Sequence, residues 1–116
     1  MNQQKIEVAR LNTTLPDHFV EITVWYQKGD HSYSGSDIRR GFFFSIQPFK
    51  EEKSDDSRYV VKCFRAWSGI KAFIEPADRF NRFRMRDIAK DLLNTEQYKN
   101  ALARLLEANS SVVLKD

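Results

Sequence analysis

Two groups of residues in this chain have the types and spacing to do chemistry, and both suit a polyanion. The first is aromatic. Trp25 falls among Glu21, Thr23 and Gln27 on one side of an alternating segment, and Phe43 and Phe49 fall with Ser45 and Gln47 in another. Rings on an open sheet hold single-stranded nucleic acid, because every base offers a π-face. The second is cationic. Arg79, Arg82, Arg86 and Lys90 stand at i, i+3, i+7 and i+11, which on a helix gathers them into an arc of about 80°. Phe83 falls beside that arc, on the side away from Met85, Ile88, Ala89 and Leu92. Guanidinium groups at helical pitch fit phosphate oxygens or an acidic protein surface. The preference for Arg over Lys, with few acids four positions away, favours a binding stripe.

A third group, Lys28, His31, Tyr33, Arg39 and Arg40, lies in the Gly- and Ser-rich stretch between residues 28 and 40. Basic and aromatic tips on a long loop can wrap a strand or a protein partner. Each group has a plainer reading beside it. Large rings are usually mostly buried, here under the loop, the tail or a second copy. A charged stripe is often only a solvated helix face.

Catalytic patterns are missing. His18 and His31 lie far apart, Cys63 is the single cysteine, and no HxxxH or CxxC spacing occurs, so neither a metal nor a cofactor is expected. Cys63 in a strand reads as a small buried hydrophobe. No Walker, GxGxxG or GxSxG sequence occurs. Glu51, Glu52, Asp55 and Asp56 crowd one charged turn, which points to solvation rather than acid–base work. The expectation is a binder and not an enzyme.

The elements that must position these residues form one domain over residues 1–116. Apolar residues at 41% and aromatic residues at 13% exclude a disordered polyelectrolyte. No apolar run reaches the ~20 residues of a membrane span. A polar start and a lone cysteine point to the reducing cytoplasm. The formal charge is only +3, but it is unevenly placed: residues 58–90 hold nine basic and three acidic side chains. Such asymmetry favours an acidic or polyanionic partner.

Four segments read as strands: Lys5 to Asn12, Phe19 to Gln27, Gly41 to Phe49, and Arg58 to Trp67. Pro48 should close the third strand or lie on an edge. From Ser68 the spacing of Ile70, Phe73, Ile74 and Ala77 reads as helical, with Pro76 kinking that helix or opening the next. Met85, Ile88, Ala89 and Leu92 form a second stripe. Tyr98, Ala101, Leu102, Leu105 and Leu106 form a third behind a cap at Asn94 or Thr95. The expected class is α+β: an antiparallel sheet of about four strands (1–67), then two or three helices packed on one face (68–109), and a tail (110–116) that folds back onto the body.

At Trp25 to Gly29, Tyr33, Arg40 to Pro48 and Ser68 to Lys71, the chain resembles a group of small proteins of bacterial conjugative and integrative elements and related phages. Their pattern runs KGG, an aromatic, PRGYYLSVTPV, then SGxK and a basic helix. The resemblance spans roughly residues 18–90. The chain departs from it with Lys28-Gly-Asp30 for KGG and Arg39-Arg-Gly41 for PRG. The resemblance implies a mobile-element setting, where short proteins bind nucleic acid or disarm host defence. The order of elements is also similar to the Whirly class of single-strand DNA binders, at the level of fold. The leading expectation is therefore a nucleic-acid-binding accessory protein, for single strands ahead of duplex. Trp25, Tyr33 and Phe43 would stack on bases. Arg39, Arg40, Arg79, Arg82 and Arg86 would meet phosphates, with Phe83 and Lys90 beside them. The alternatives are an anti-CRISPR-like inhibitor of a host nuclease complex, and a dimerisation module using the aromatic sheet face.

Overall fold

The computed structural model describes residues 4–28, 39–53, 60–64, 69–109 and 113–115. Its strands are β1 (Lys5–Asn12), β2 (His18–Gln27), β3 (Gly41–Lys53), β4 (Val60–Phe64) and β5 (Ile70–Pro76). Two helices follow, α1 (Arg82–Asp91) and α2 (Glu96–Ala108), joined by a 3-10 turn at Leu92–Asn94. The class is α+β, with every strand pairing antiparallel.

β3 is the spine of the sheet. One edge pairs with β2 from Gly41 to Lys50. The other edge is shared: Gly41 to Ile46 pair with β5, and Phe49 to Lys53 pair with β4. Pro48 does not end the strand, the first of the two settings expected for it. It falls in the gap between the two partners, where that edge has no ladder bond to lose. The strand therefore runs on through residues expected to form a charged turn.

The segment expected to be the first helix is strand β5. Ile70, Ala72 and Ile74 pack against the core cluster, while Lys71 and Phe73 sit opposite Ser45 and Phe43 on the outer face. A strand also tolerates Pro76 at its end, where a helix interior would lose a bond and meet a clash. Gly41 lies alongside Pro76 with φ of 155°. A Cβ there would run into the Glu75 carbonyl, so glycine is what lets β3 begin this close to β5.

β1 alternates only loosely because it carries a bulge. Glu7 pairs with Thr23 and Ala9 with Ile22, leaving Val8 as the extra residue. Ile6, Val8, Ala9 and Leu11 thereby all reach the core. The 113–115 segment folds back as expected: Thr14 N–H donates to Val113 O at 2.9 Å, and Lys115 N–H to Asn12 O at 2.8 Å.

The core joins Val20, Ile22, Val24 and Tyr26 of β2 and Phe42, Phe44 and Ile46 of β3 to Met85, Ile88, Leu92, Tyr98, Ala101 and Leu105. Burial raises the pKa of Tyr98 above the ordinary tyrosine value. Both helices start on side-chain caps. Asn81 Oδ1 accepts from Phe83 and Arg84 N–H at 3.0 and 3.1 Å. Thr95 Oγ1 accepts from Tyr98 N–H at 3.2 Å. Arg84 ties α1 to β5, its Nε donating to Glu75 Oε2 at 2.8 Å.

Candidate functional site

With the even-numbered residues of β2 and β3 in the core, the odd-numbered ones form the opposite surface of the sheet. There the cross-strand register builds two aromatic rows. In the first, Lys5 lies opposite Trp25 and Trp25 opposite Phe43, with Phe43 opposite Phe73. Trp25 stacks on Phe43 with ring centroids 5.5 Å apart, and Phe73 meets Phe43 edge-on at 5.1 Å. In the second row Phe19 stacks on Phe49 at 5.6 Å. Six positions along β2 separate Trp25 from Phe19, which sets the rows about 20 Å apart at about 3.3 Å per residue.

Cations sit on these rings. Lys71 Nζ is 4.9 Å from the Phe43 centroid and 5.7 Å from that of Trp25, and it donates to Gln27 Oε1 at 3.1 Å. The Arg39 guanidinium lies 4.0 Å from the Phe73 centroid. Arg10 lies 4.2 Å from the Phe19 centroid and also reaches Glu21 at 3.7 Å, which offsets the acid nearest the middle of the face.

Between the rows the floor is small and polar: Thr23 faces Ser45, and Glu21 faces Gln47. Short side chains flanked by large rings leave a groove of about 360 Å³. Trp25 and Phe49 line it, and so do Lys5 and Lys71. A larger cavity of about 620 Å³ lies at the β1–β2 turn. Its polar groups already hold that turn: Thr13 Oγ1 donates to His18 O at 3.1 Å, and His18 Nδ1 is 2.7 Å from Pro16 O.

The structure redistributes the expected site residues. Trp25 is half-buried in the groove wall. Phe43 is on this face, as the alternation requires, but it is 0% exposed. Trp25, Phe73 and the Lys71 ammonium enclose it, so no base can reach its ring. Phe49 is half-buried and lines the groove in its place. Tyr33 lies outside the described residues. Arg39 is exposed above Phe73. Arg40 ties the start of β3 to the end of β2 and to the segment after β5, its Nε donating to Lys28 O at 2.8 Å and its Nη1 to Asp78 O at 3.4 Å.

The cationic stripe does not join the aromatic face. Arg79 precedes the Asn81 cap and is not helical. Arg82, Arg86 and Lys90 are exposed on one flank of α1, more than a third of a turn from Met85 and Ile88 at about 100° per residue. Phe83 points furthest from the core and is 66% exposed. Since α1 packs against the core side of β1 and β2, the stripe belongs to the helical layer and the groove to the other surface. Only a ligand that wraps round the sheet edge reaches both.

Lys71 and Lys5 escaped the sequence reading. Lys71 was hidden by the helical reading of β5, although Ile70, Ala72 and Ile74 alternate with Lys71, Phe73 and Glu75. Among the described residues no three His, Cys, Asp or Glu side chains gather as metal ligands, and no helix is long and apolar enough to cross a membrane. The fold and groove define an α+β protein with a ring-walled, polar-floored outer sheet face. Compared with family models, curated proteins and solved structures, the chain matches none.

Proposed function

We propose that this protein binds single-stranded nucleic acid on the outer face of its sheet, as a non-enzymatic accessory protein of the mobile-element kind its sequence resembles, acting in the cytoplasm. The observation that carries this is the setting of Trp25: a half-buried indole in a groove wall, with Lys5 opposite it and the Lys71 ammonium 5.7 Å from its ring. A stacked base meets the indole while the flanking phosphates meet the two lysines, which is the ring-plus-cation arrangement single strands require. A stacked duplex cannot offer its base faces to this groove, so single strands bind ahead of double strands.

Fluorescence anisotropy with labelled single-stranded and duplex oligonucleotides at low salt tests the reading. Tight single-strand binding that falls as salt rises supports it. No binding to either form, in protein shown to be folded, removes it.

A second reading rests on α1. Phe83 is 66% exposed with the Arg82 guanidinium 5.5 Å from its ring centroid, and Arg86 stands beside it. An exposed ring among cations suits docking on an acidic protein surface, as an inhibitor of a host nuclease complex would require. A pull-down from host lysate separates the two: a partner that survives nuclease digestion and is lost with Phe83→Ala favours the inhibitor.

A further inference from the structure

We infer that β1 pairs edge to edge with β1 of a second copy of this chain, antiparallel about a two-fold axis at Ile6. Lys5 of each chain then meets Glu7 of the other. β1 ends the strand order of the sheet. Among the described residues its outer edge pairs only with the 113–115 segment, at Asn12 to Thr14. A strand edge of this kind is a template for another strand.

The backbone phase shows which residues face that edge. Tyr26 N–H donates to Gln4 O at 2.9 Å, and Thr13 N–H to His18 O at 3.2 Å, so Gln4 and Thr13 turn toward β2. Bonding direction alternates along an antiparallel strand, and the bulge at Val8 adds one residue to the count. Lys5, Glu7, Arg10 and Asn12 therefore turn away from β2. Asn12 bears this out, since its carbonyl accepts from Lys115 N–H at 2.8 Å.

Charge then selects the register. A two-fold axis makes the contact self-complementary, and residues that face each other must both turn outward. Setting Lys5 against Lys5, Glu7 against Glu7, Lys5 against Arg10 or Arg10 against Arg10 opposes like charges, which destabilises a cross-strand pair. Setting Glu7 against Arg10 matches charge, but it carries Lys5 to the place beside Asn12 that Lys115 of the other copy fills. Lys5 against Glu7 matches charge twice, once on each side of the axis, and stays clear of Asn12. On the core side this register brings together the Ile6 side chains, each half-buried in its own chain.

Charges and bulges usually guard an edge against pairing. Here two opposite charges, two residues apart, find their opposites instead. The axis stands perpendicular to the sheet, so both grooves open on one surface and both helical layers lie on the other. The contact is far smaller than the roughly 1,600 Å² of a standard interface, so association is weak and depends on concentration. It requires nothing of what the groove binds.

Sedimentation equilibrium over a concentration series tests the inference. The parent should pass from one chain mass to two as concentration rises. Lys5→Glu and Glu7→Lys each place like charges across the axis at two pairs, and each should weaken association about tenfold or more. Mixed in equal amounts, the two variants should associate as well as the parent does, because every charge again meets its opposite. Arg10→Gln should leave association nearly unchanged. Both substituted positions are exposed, and thermal melts report folding. In the parent itself, the Lys5 and Glu7 amide protons should exchange more slowly as concentration rises, a readout that needs no variant. A single chain mass at every concentration overturns the inference. Association that survives in both variants overturns it too, as does a mixture that restores nothing or amide exchange that ignores concentration. A loss on Arg10→Gln in folded protein overturns the register.

Discussion

The Trp25 indole lies across Phe43 at a 19° interplanar angle, covering one side of a ring that is itself 0% exposed. The pair divides two tasks that the alternation pattern assigns to both rings. Phe43 is the buried footing, and Trp25 is the part that can meet a ligand. Any change at Trp25 therefore acts on packing as well as on the proposed binding, and a useful variant must keep one while altering the other.

Trp25→Ala should weaken single-strand binding by about 1–3 kcal/mol, the range for losing one base-stacking ring. It should leave the dependence on salt nearly unchanged, because the indole neutralises no phosphate. Trp25→Phe keeps a ring over Phe43 and should retain most of the melting temperature and part of the affinity. Anisotropy titrations paired with thermal melts check both. An alanine variant that binds as tightly as the parent would show that the indole meets no base.

Leu105→Ala should destabilise the fold by about 2–5 kcal/mol, as truncation of a buried leucine does. Leu105 is 1% exposed, while Leu102 of the same stripe is only half-buried and should cost less. Urea melts of the two variants give the comparison. Equal losses would mean that α2 packs in a different rotation.

Much of this fold was legible because period and burial agree. β2 alternates cleanly, with Val20, Ile22, Val24 and Tyr26 on one face, and the Tyr98–Leu105 stripe keeps helical spacing. Three features were not legible, each for a physical reason. β1 reads loosely because the bulge at Val8 shifts its phase. β5 carries apolar residues on both faces, so Phe73 and Ile74 imitate a helical pair. Pro48 reads as a strand end because sequence cannot reveal that β3 changes partners there. The site suffered from the β5 error most, since Lys71 belongs to the groove only if that segment is extended. The burial of Phe43 was beyond reach for a related reason: it depends on Phe73, which arrives on the same strand.

Glu75 and Arg84 should make stability depend on pH in the acid range. Hydrogen bonds from the Arg84 guanidinium hold the Glu75 carboxyl below the ordinary glutamate pKa, against the opposing effect of burial and with the guanidinium's charge as the smallest contribution. A carboxyl depressed in the folded state binds its proton more readily when unfolded. Its contribution is therefore complete above the ordinary glutamate pKa and is lost as pH falls through the depressed one. Both side chains are substantially exposed, so the effect should stay within about 1 kcal/mol. Glu75→Gln should flatten this part of the stability–pH curve, measured by urea melts between neutral and acid pH. A curve unchanged by the substitution would show that the pair does not stabilise the fold.

The separation of groove and stripe gives the sharpest prediction. With a hexanucleotide, one base of which would occupy the groove, Lys5 and Lys71 would be the cations beside that base. Replacing both by Gln should flatten the dependence of log affinity on log salt by about 1.4, at about 0.7 for each single-strand phosphate no longer neutralised. Replacing Arg82, Arg86 and Lys90 by Gln should leave that slope unchanged, because the flank of α1 lies on the other side of the sheet. Folding should change little in either case, since surface substitutions typically stay within about 0.5 kcal/mol. A longer oligonucleotide that rounds the edge would recruit the stripe, and the triple substitution should then lower the slope as well. Anisotropy across a salt series with short and long strands measures all four slopes. If the helix substitutions flatten the hexanucleotide slope and the lysine substitutions do not, the binding surface is α1 and the groove is not the site.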